Sequence, residues 1–260
     1  MSERPFSQVA KPLIVAHRGA SIEEAENTLD AFEAAIATGA HAVEFDVRVT
    51  GDDQAVVLHD AGVDRTTDGA GLVRGMTLGA VKRLRIATPT GTTQIPTLAE
   101  ALATLSGRVA VDIEIKNVPG EPDFEPDRER AVELVHDALD ETAFVGDVIV
   151  SSFNPLSIAA SLRMRADVAT GLLTDVGVEA EAAVRFAASE GHRWVLPFID
   201  RVREALESAP THTHEAGLRL GTWLTDDPDV AIALFAGGVD AVATNDPALI
   251  VGAMRRMAGT

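Results

Sequence analysis

Apolar residues recur along the chain in short runs at strand period, and most runs are followed by a stretch at helical period. Residues 13–16 form the first run, ending at His17-Arg18-Gly19, and read as a buried parallel strand with its carboxyl-end loop. Leu29, Phe32, Ala35 and Ile36 then keep helical spacing behind Asn27 or Thr28 as a cap, and Gly39 ends the helix. In 43–47 the alternation sets Glu44 and Asp46 on one strand face and Val43, Phe45 and Val47 on the other. The turn signal Gly51-Asp52-Asp53 folds 56–60 back as a hairpin arm. Facing positions that sum to roughly 103 bring His59 beside Glu44.

From 61 to 93 the pattern weakens. Gly69, Gly71, Gly75, Gly79 and Gly91 interrupt it, and only 77–85 reads as helical. The stretch holds too few apolar residues for a core of its own, so it is an insertion and not a second domain. Regular units resume with a helix over 96–105 capped by Thr97. The strand 109–116 follows, with Asp112, Glu114 and Lys116 on one face. Strands over 148–151, 170–173, 194–198, 218–224 and 241–244 alternate with helix-forming sequence to the end of the chain. Setting the hairpin's return arm aside, eight strands each precede helix-forming sequence. The expected fold is α/β: a (β/α)8 TIM barrel, one domain over 1–260, with 61–93 as a small insertion after the second barrel strand and its hairpin.

Composition narrows the function classes. A hydrophobic content of 46% over 260 residues supports a sizeable core, and the absence of cysteine excludes disulfides, thiol catalysis and Cys-ligated metals. Twenty-two Lys and Arg against 40 Asp and Glu give a formal charge of -18, a field that repels nucleic acid and anionic membranes. An anionic substrate therefore needs a local positive site. Lys116 is one of only three lysines, with Lys11 and Lys82. Residues 1–11 are polar and lack the apolar core of a signal peptide, and no apolar run approaches the roughly 18 residues of a membrane span. A cytoplasmic protein is expected, with no stable membrane insertion.

The candidate chemistry converges. Glu44 and Asp46 on one strand face are costly to bury unless a positive group lies between them, and a divalent cation is the simplest such group. The rival reading is a surface hairpin with solvated acids. His17, Glu44, Asp46 and Glu114 fall at or near the ends of the first three barrel strands and His59 at the end of the hairpin arm, where barrel active sites form. That favours the metal reading.

These residues sit in an ordered series of short motifs: His17-Arg18-Gly19, Glu26-Asn27-Thr28, Glu44-x-Asp46, His59-Asp60, Arg65-Thr66-Thr67, Glu114-x-Lys116, Ser152-Phe153-Asn154-Pro155, Trp223 and Thr244-Asn245-Asp246-Pro247. The series resembles that of the glycerophosphodiester phosphodiesterases over about 13–250. The resemblance implies metal-dependent hydrolysis of glycerophosphodiesters to an alcohol and sn-glycerol 3-phosphate, an activity of glycerol and lipid metabolism. It implies one divalent cation (Mg²⁺ or Ca²⁺, with Mn²⁺ an option) on Glu44, Asp46 and Glu114. His17 and His59 would be the catalytic pair, and Arg18 and Lys116 would hold the phosphate. The chain departs from the family pattern at Ala25, where proline is common, and at Ala61-Gly62-Val63, which lacks a bulky apolar residue at the pocket rim.

Independently of the family, a phosphodiester needs its charge neutralised, and a cation with Arg and Lys does that. Two histidines suit transfer of a proton from the nucleophile and another to the leaving alkoxide. His59 is the expected acid and His17 the expected base, with the order left open by sequence. Trp223 would offer an aromatic face to the glycerol carbons, or simply pack in the core. Glu26 is read as a site residue and Asp112 as a structural partner one layer below Glu114. His212 and His214 read as a solvated helix face, and His41, His136 and His192 as structural or surface groups. The acidic stretch 121–127 reads as a solvated lid edge. The rival functions are a lysophospholipase D-like activity, disfavoured by the lack of an exposed apolar stretch, and a non-catalytic phosphate-ester binding barrel. The partner in each case is a small molecule.

Overall fold

The computed structural model describes residues 12–258, so the polar 1–11 segment and Lys11 lie outside the described residues. β1 (Leu13–His17) leads into α1 (Leu29–Thr38), whose start is fixed by Thr28: its hydroxyl accepts from the Ala31 N–H at 3.2 Å. Gly39 ends that helix at φ 88°, a left-handed conformation that glycine adopts without strain. β2 (Ala42–Val49) and the antiparallel β3 (Ala55–Val57) form the expected hairpin. Its register is shifted by one residue: Val47 faces Val57 and Arg48 faces Val56, so His59 falls level with Phe45 and not Glu44.

The insertion holds a 3-10 turn, α2 (Leu78–Val81) and a small ladder of β4 (Ile86–Thr88) with β5 (Gly91–Thr93). Its apolar residues Val63, Val73, Val81 and Ile86 pack against Val56 and Leu58 of the hairpin and Ile95 beyond it. The insertion thus builds a satellite core by sharing the hairpin's residues.

α3 (Leu98–Leu105) starts with a capping box in which Thr97 and Glu100 satisfy each other's backbone N–H groups. β6 (Ala110–Ile115), α4 (Arg130–Glu141), β7 (Val148–Ser152), α5 (Pro155–Met164), β8 (Ala169–Thr174), α6 (Ala180–Glu190) and β9 (Trp194–Pro197) continue the alternation. The irregular region resolves into α7 (Ile199–Glu204) and α8 (Ala209–Glu215), before β10 (Arg219–Thr222), α9 (Pro228–Ala236), β11 (Ala241–Thr244) and α10 (Pro247–Ala258).

Eight strands, β1, β2 and β6 to β11, pair in parallel, and β1 pairs with both β2 and β11. The sheet therefore closes on itself as a (β/α)8 barrel. Alternation divides each strand: Val43, Phe45, Val47, Ile113 and Ile115 pack outward against helices, while Glu44, Asp46, Asp112 and Glu114 point into the lumen. Among the described residues, no helix is long and apolar enough to cross a membrane.

Candidate active site

Glu44, Asp46 and Glu114 are buried, and each offers a carboxylate oxygen within 4.8 Å of the others. The parallel register makes this: Glu44 pairs with Asp112 and Asp46 with Glu114 across β2 and β6. Two fixed cations stand against the three carboxylates. Lys116 Nζ lies 2.5 Å from Glu114 Oε1 and 3.1 Å from Asp46 Oδ1, and Arg18 Nε lies 3.3 Å from Asp46 Oδ2.

Burial would raise the Asp46 pKa, but the Lys116 and Arg18 charges outweigh it and hold the group well below its ordinary value. Glu44 goes the other way. Burial, then the Asp46 and Glu114 charges, push it well up, and burial above all brings Glu114 up to about 7. Glu44 Oε1 is buried and completes no hydrogen bond, and Asp46 Oδ1 meets only the Lys116 ammonium, at 3.1 Å. An all-oxygen donor set with excess negative charge and an orphaned oxygen fits a hard divalent cation.

The supports come from loops at the carboxyl ends of the strands. Arg18 sits at φ 57°, an uncommon conformation for a side chain of its size, and its backbone N–H donates to Glu44 Oε2 at 2.9 Å. Gly19 follows at φ 85°, and a Cβ there would meet the Ala31 backbone at 2.7 Å, so only glycine lets this loop lie on α1. Asn27, also left-handed at φ 57°, does not cap the helix. It donates from Nδ2 to Asp46 Oδ2 at 2.7 Å and fixes that carboxylate from behind.

Glu26 pairs with Arg18 and with Arg65 of the insertion, and Arg65 in turn grips Asp60. Asp60 accepts from His59 Nδ1 at 2.6 Å. A continuous chain of ion pairs thus runs from His59 to Asp46 through Asp60, Arg65, Glu26 and Arg18.

His17 is held from the far end of the sequence. Asn245 Nδ2 donates to Asp226 Oδ2 at 3.1 Å, which turns Asn245 Oδ1 toward His17 Nδ1 at 2.8 Å. Nδ1 therefore carries the proton, and Nε2 presents its lone pair 3.9 Å from Glu44 Oε2. Burial, with the neighbouring Arg18 charge, lowers the His17 pKa to about 4. His59 is lowered too, chiefly by burial.

A cavity of about 170 Å³ joins these groups. His17, Arg18, Glu44, His59, Glu114 and Lys116 line one side of it, and Phe153, Leu173, Leu196, Trp223 and Ala243 the other. Trp223 meets Phe153 and Phe198 edge to face, with ring centroids 5.3 and 5.1 Å away. All eight residues expected at the site are brought together: His17, Arg18, Glu44, His59, Glu114, Lys116 and Trp223 line the cavity, and Asp46 completes the acidic group.

Two expectations need correction. The acidic stretch 121–127 is no free lid edge: Glu121 and Asp123 pair with Arg48, whose side chain is buried, and Glu125 pairs with Arg74. A buried guanidinium requires such partners, and nothing in the alternation of β2 announced where they would be found. The barrel mouth is also greasier than the sequence implies. Ile22, Leu156, Val176 and Leu249 are exposed on βα loops or the first helical turns after them, contributed singly by distant segments. Asp112, one layer below Glu114 on β6, lines the cavity beside the Ser151 hydroxyl, and burial pushes its carboxyl up to about 7.

The remaining histidines are structural. His136 meets Ser161, His192 meets Thr170, His41 accepts from the Ile14 N–H, His214 pairs with buried Asp240, and His212 pairs with Glu181. Sequence reasoning missed Asn245 and Asp226 as the brace of His17. The one available signal was the polar Asn245-Asp246-Pro247 run directly after a barrel strand.

The family model for the glycerophosphoryl diester phosphodiesterase family matches residues 17–249. The chain belongs to this family. A glycerophosphodiester phosphodiesterase from Caldanaerobacter subterraneus subsp. tengcongensis is 32% identical, over 95% of this chain and 99% of its own. Among solved structures, a glycerophosphoryl diester phosphodiesterase described as putative, from Agrobacterium tumefaciens, superposes with a TM-score of 0.84 at 26% identity, covering 96% of this chain and 100% of that one. An Oleispira antarctica phosphodiesterase solved with the product sn-glycerol-3-phosphate shares the fold, with a TM-score of 0.79 at 23% identity over 94% and 97% of the two chains.

Proposed function

We propose that the chain hydrolyses glycerophosphodiesters to an alcohol and sn-glycerol 3-phosphate with one divalent cation. The observation that carries this reading is the meeting of three buried carboxylates, two histidines, Arg18 and Lys116 in one cavity at the barrel mouth. Glu44, Asp46 and Glu114 would hold the cation, with Mg²⁺ or Ca²⁺ the natural choices for an oxygen-only set. When bound, the cation neutralises phosphate charge and polarises the phosphoryl oxygen.

The chain's own groups do the rest. Arg18 and Lys116 orient the phosphate and offset its charge as bonding at phosphorus changes. His17 is neutral at pH 7, and its Nε2 lone pair takes the proton of the attacking water as the new P–O bond forms. The P–O bond to the departing alcohol breaks, and His59 delivers a proton to that oxygen. Asp60, itself kept ionised by Arg65, steadies the His59 imidazolium before transfer. Trp223 packs on the carbon chain of the substrate.

A second reading, action on lysophospholipids, is favoured by the exposed Ile22, Leu156, Val176 and Leu249 around the mouth. One assay separates the two: release of glycerol 3-phosphate or of free head group from a panel of glycerophosphodiesters and one lysophospholipid, with and without EDTA, beside a His59→Ala control. Cation-dependent release lost in the variant is expected. Release from no substrate by folded, cation-supplied protein would overturn the enzyme reading in favour of a binding barrel.

A further inference from the structure

The cavity runs one layer deeper than the carboxylates, and its floor carries polar atoms that the phosphate chemistry does not use. Asp112 lies two residues before Glu114 on β6, roughly 6.6 Å toward the amino end of the strand. Ser151 stands on the adjacent β7, level with Glu114 in the ladder. Both line the cavity with Trp223. Asp112 is 8% exposed and Ser151 is fully buried. Asp112 Oδ1, Ser151 Oγ and Trp223 Nε1 are buried without completing a hydrogen bond, although the Ser151 hydroxyl lies close enough to the Asp112 carboxylate to favour its charge. The floor is open because the facing strands carry Gly221 and Ala241 there, and a Cβ on Gly221 would run into Leu196 Cδ2 at 2.5 Å.

Buried polar groups without partners are rare, and three around one cavity describe what should fill it. The set is one carboxylate acceptor, one hydroxyl that both gives and takes, and one N–H donor. An alkyl group would leave the indole N–H unpaired and the Asp112 carboxylate with the Ser151 hydroxyl alone. An ammonium group only donates, and would leave the indole N–H unpaired. A hydroxyl matches both signs. The walls, Leu173, Leu196 and Phe153, suit the carbon-bound hydrogens of the same group. We infer that Asp112, one layer below Glu114, together with Ser151 level with Glu114 and Trp223 directly after β10, reads hydroxyls and selects a polyol on the phosphate, so that specificity for the glycerol side is set beside and below the acids. The inference rests on the proposed phosphodiesterase reading for its substrate and on the cavity for its geometry.

Binding without turnover tests it. Calorimetry with Mg²⁺ present compares sn-glycerol 3-phosphate with n-propyl phosphate, which keeps the phosphate and loses both hydroxyls. The wild-type protein should prefer the glycerol ester by ~100-fold or more, because a site built for hydroxyls rejects an analogue that lacks them. Asp112→Ala should bring that ratio below ~10-fold, and Ser151→Ala, which alters little volume, should reduce it by about 3- to 10-fold. Asp112→Asn keeps a side-chain oxygen and should retain most of the preference.

Equal binding of the two esters by the wild type, or failure to bind either, overturns the inference. So does an Asp112→Ala variant that weakens both equally, since that marks a role in the acidic cluster instead. Failure of the phosphodiesterase reading looks different: the preference persists while no glycerophosphodiester is cleaved.

Discussion

The two sides of this barrel are made of different material. The arc of β1, β2 and β6 supplies the buried acids, His17 and the two cationic side chains, and the hairpin arm adds His59. The arc from β7 to β11 is largely apolar, presenting Phe153, Leu173, Leu196, Trp223 and Ala243 to the same cavity. Every ionised group of the first arc depends on partners across strands or loops, because a buried charge that loses its partner is left uncompensated. The apolar side chains of the second arc depend on shape alone. The contrast separates bond-making from fit: the first arc should fail all at once, and the second by degrees.

Three experiments sharpen or break that contrast, taken from the largest effect down. His17→Ala should lower kcat/KM by roughly 10²- to 10⁴-fold, the range for a general acid or base, with little change in thermal midpoint. Leu196→Ala, on the opposite arc, should cost about 2–3 kcal/mol of stability in a denaturant titration while leaving kcat within a few-fold. Equal loss of kcat in both variants would erase the distinction.

Asn27→Ala removes the amide behind Asp46 and should weaken cation affinity by about 10- to 100-fold in calorimetry. Thr28→Ala, one residue on, is only a helix cap and should cost about 1 kcal/mol with cation affinity unchanged.

The smallest effect is a pH dependence. Glu114, at about 7 in the folded protein against an ordinary value of 4.5, binds a proton more tightly folded than unfolded. Its contribution to stability is therefore complete below pH 4.5 and is lost as pH rises through 7. Cation binding requires the carboxylate, so affinity should fall by up to about tenfold for each pH unit below 7 for one displaced proton. Divalent cation should accordingly raise the thermal midpoint more at pH 8 than at pH 6, and an equal rise at both would show that no such proton is displaced.

The charged arc was legible in the sequence because strand alternation is local. Glu44 with Asp46, and Asp112 with Glu114 and Lys116, declare their shared faces within a few residues. Apart from Trp223, the apolar arc was not legible as a site. Each of its strands contributes one or two ordinary buried residues, and only barrel closure makes them a wall. The hairpin's register missed by one residue because the turn signal fixes where the chain reverses more loosely than which pairs face. Arg48 was invisible for a related reason. Its partners Glu121 and Asp123 lie more than 70 positions away, in a stretch whose composition alone reads as solvated.

The bond between His17 and Asn245 spans 228 positions. A ribosome emits this histidine 228 residues before its brace. The run between them must therefore emerge before β11 can dock on β1 and Asn245 can hold the imidazole. A nascent chain carrying every acid, Arg18 and Lys116 would still lack the brace on His17. The order of synthesis thus puts the acids out first and the closing seam last of these parts.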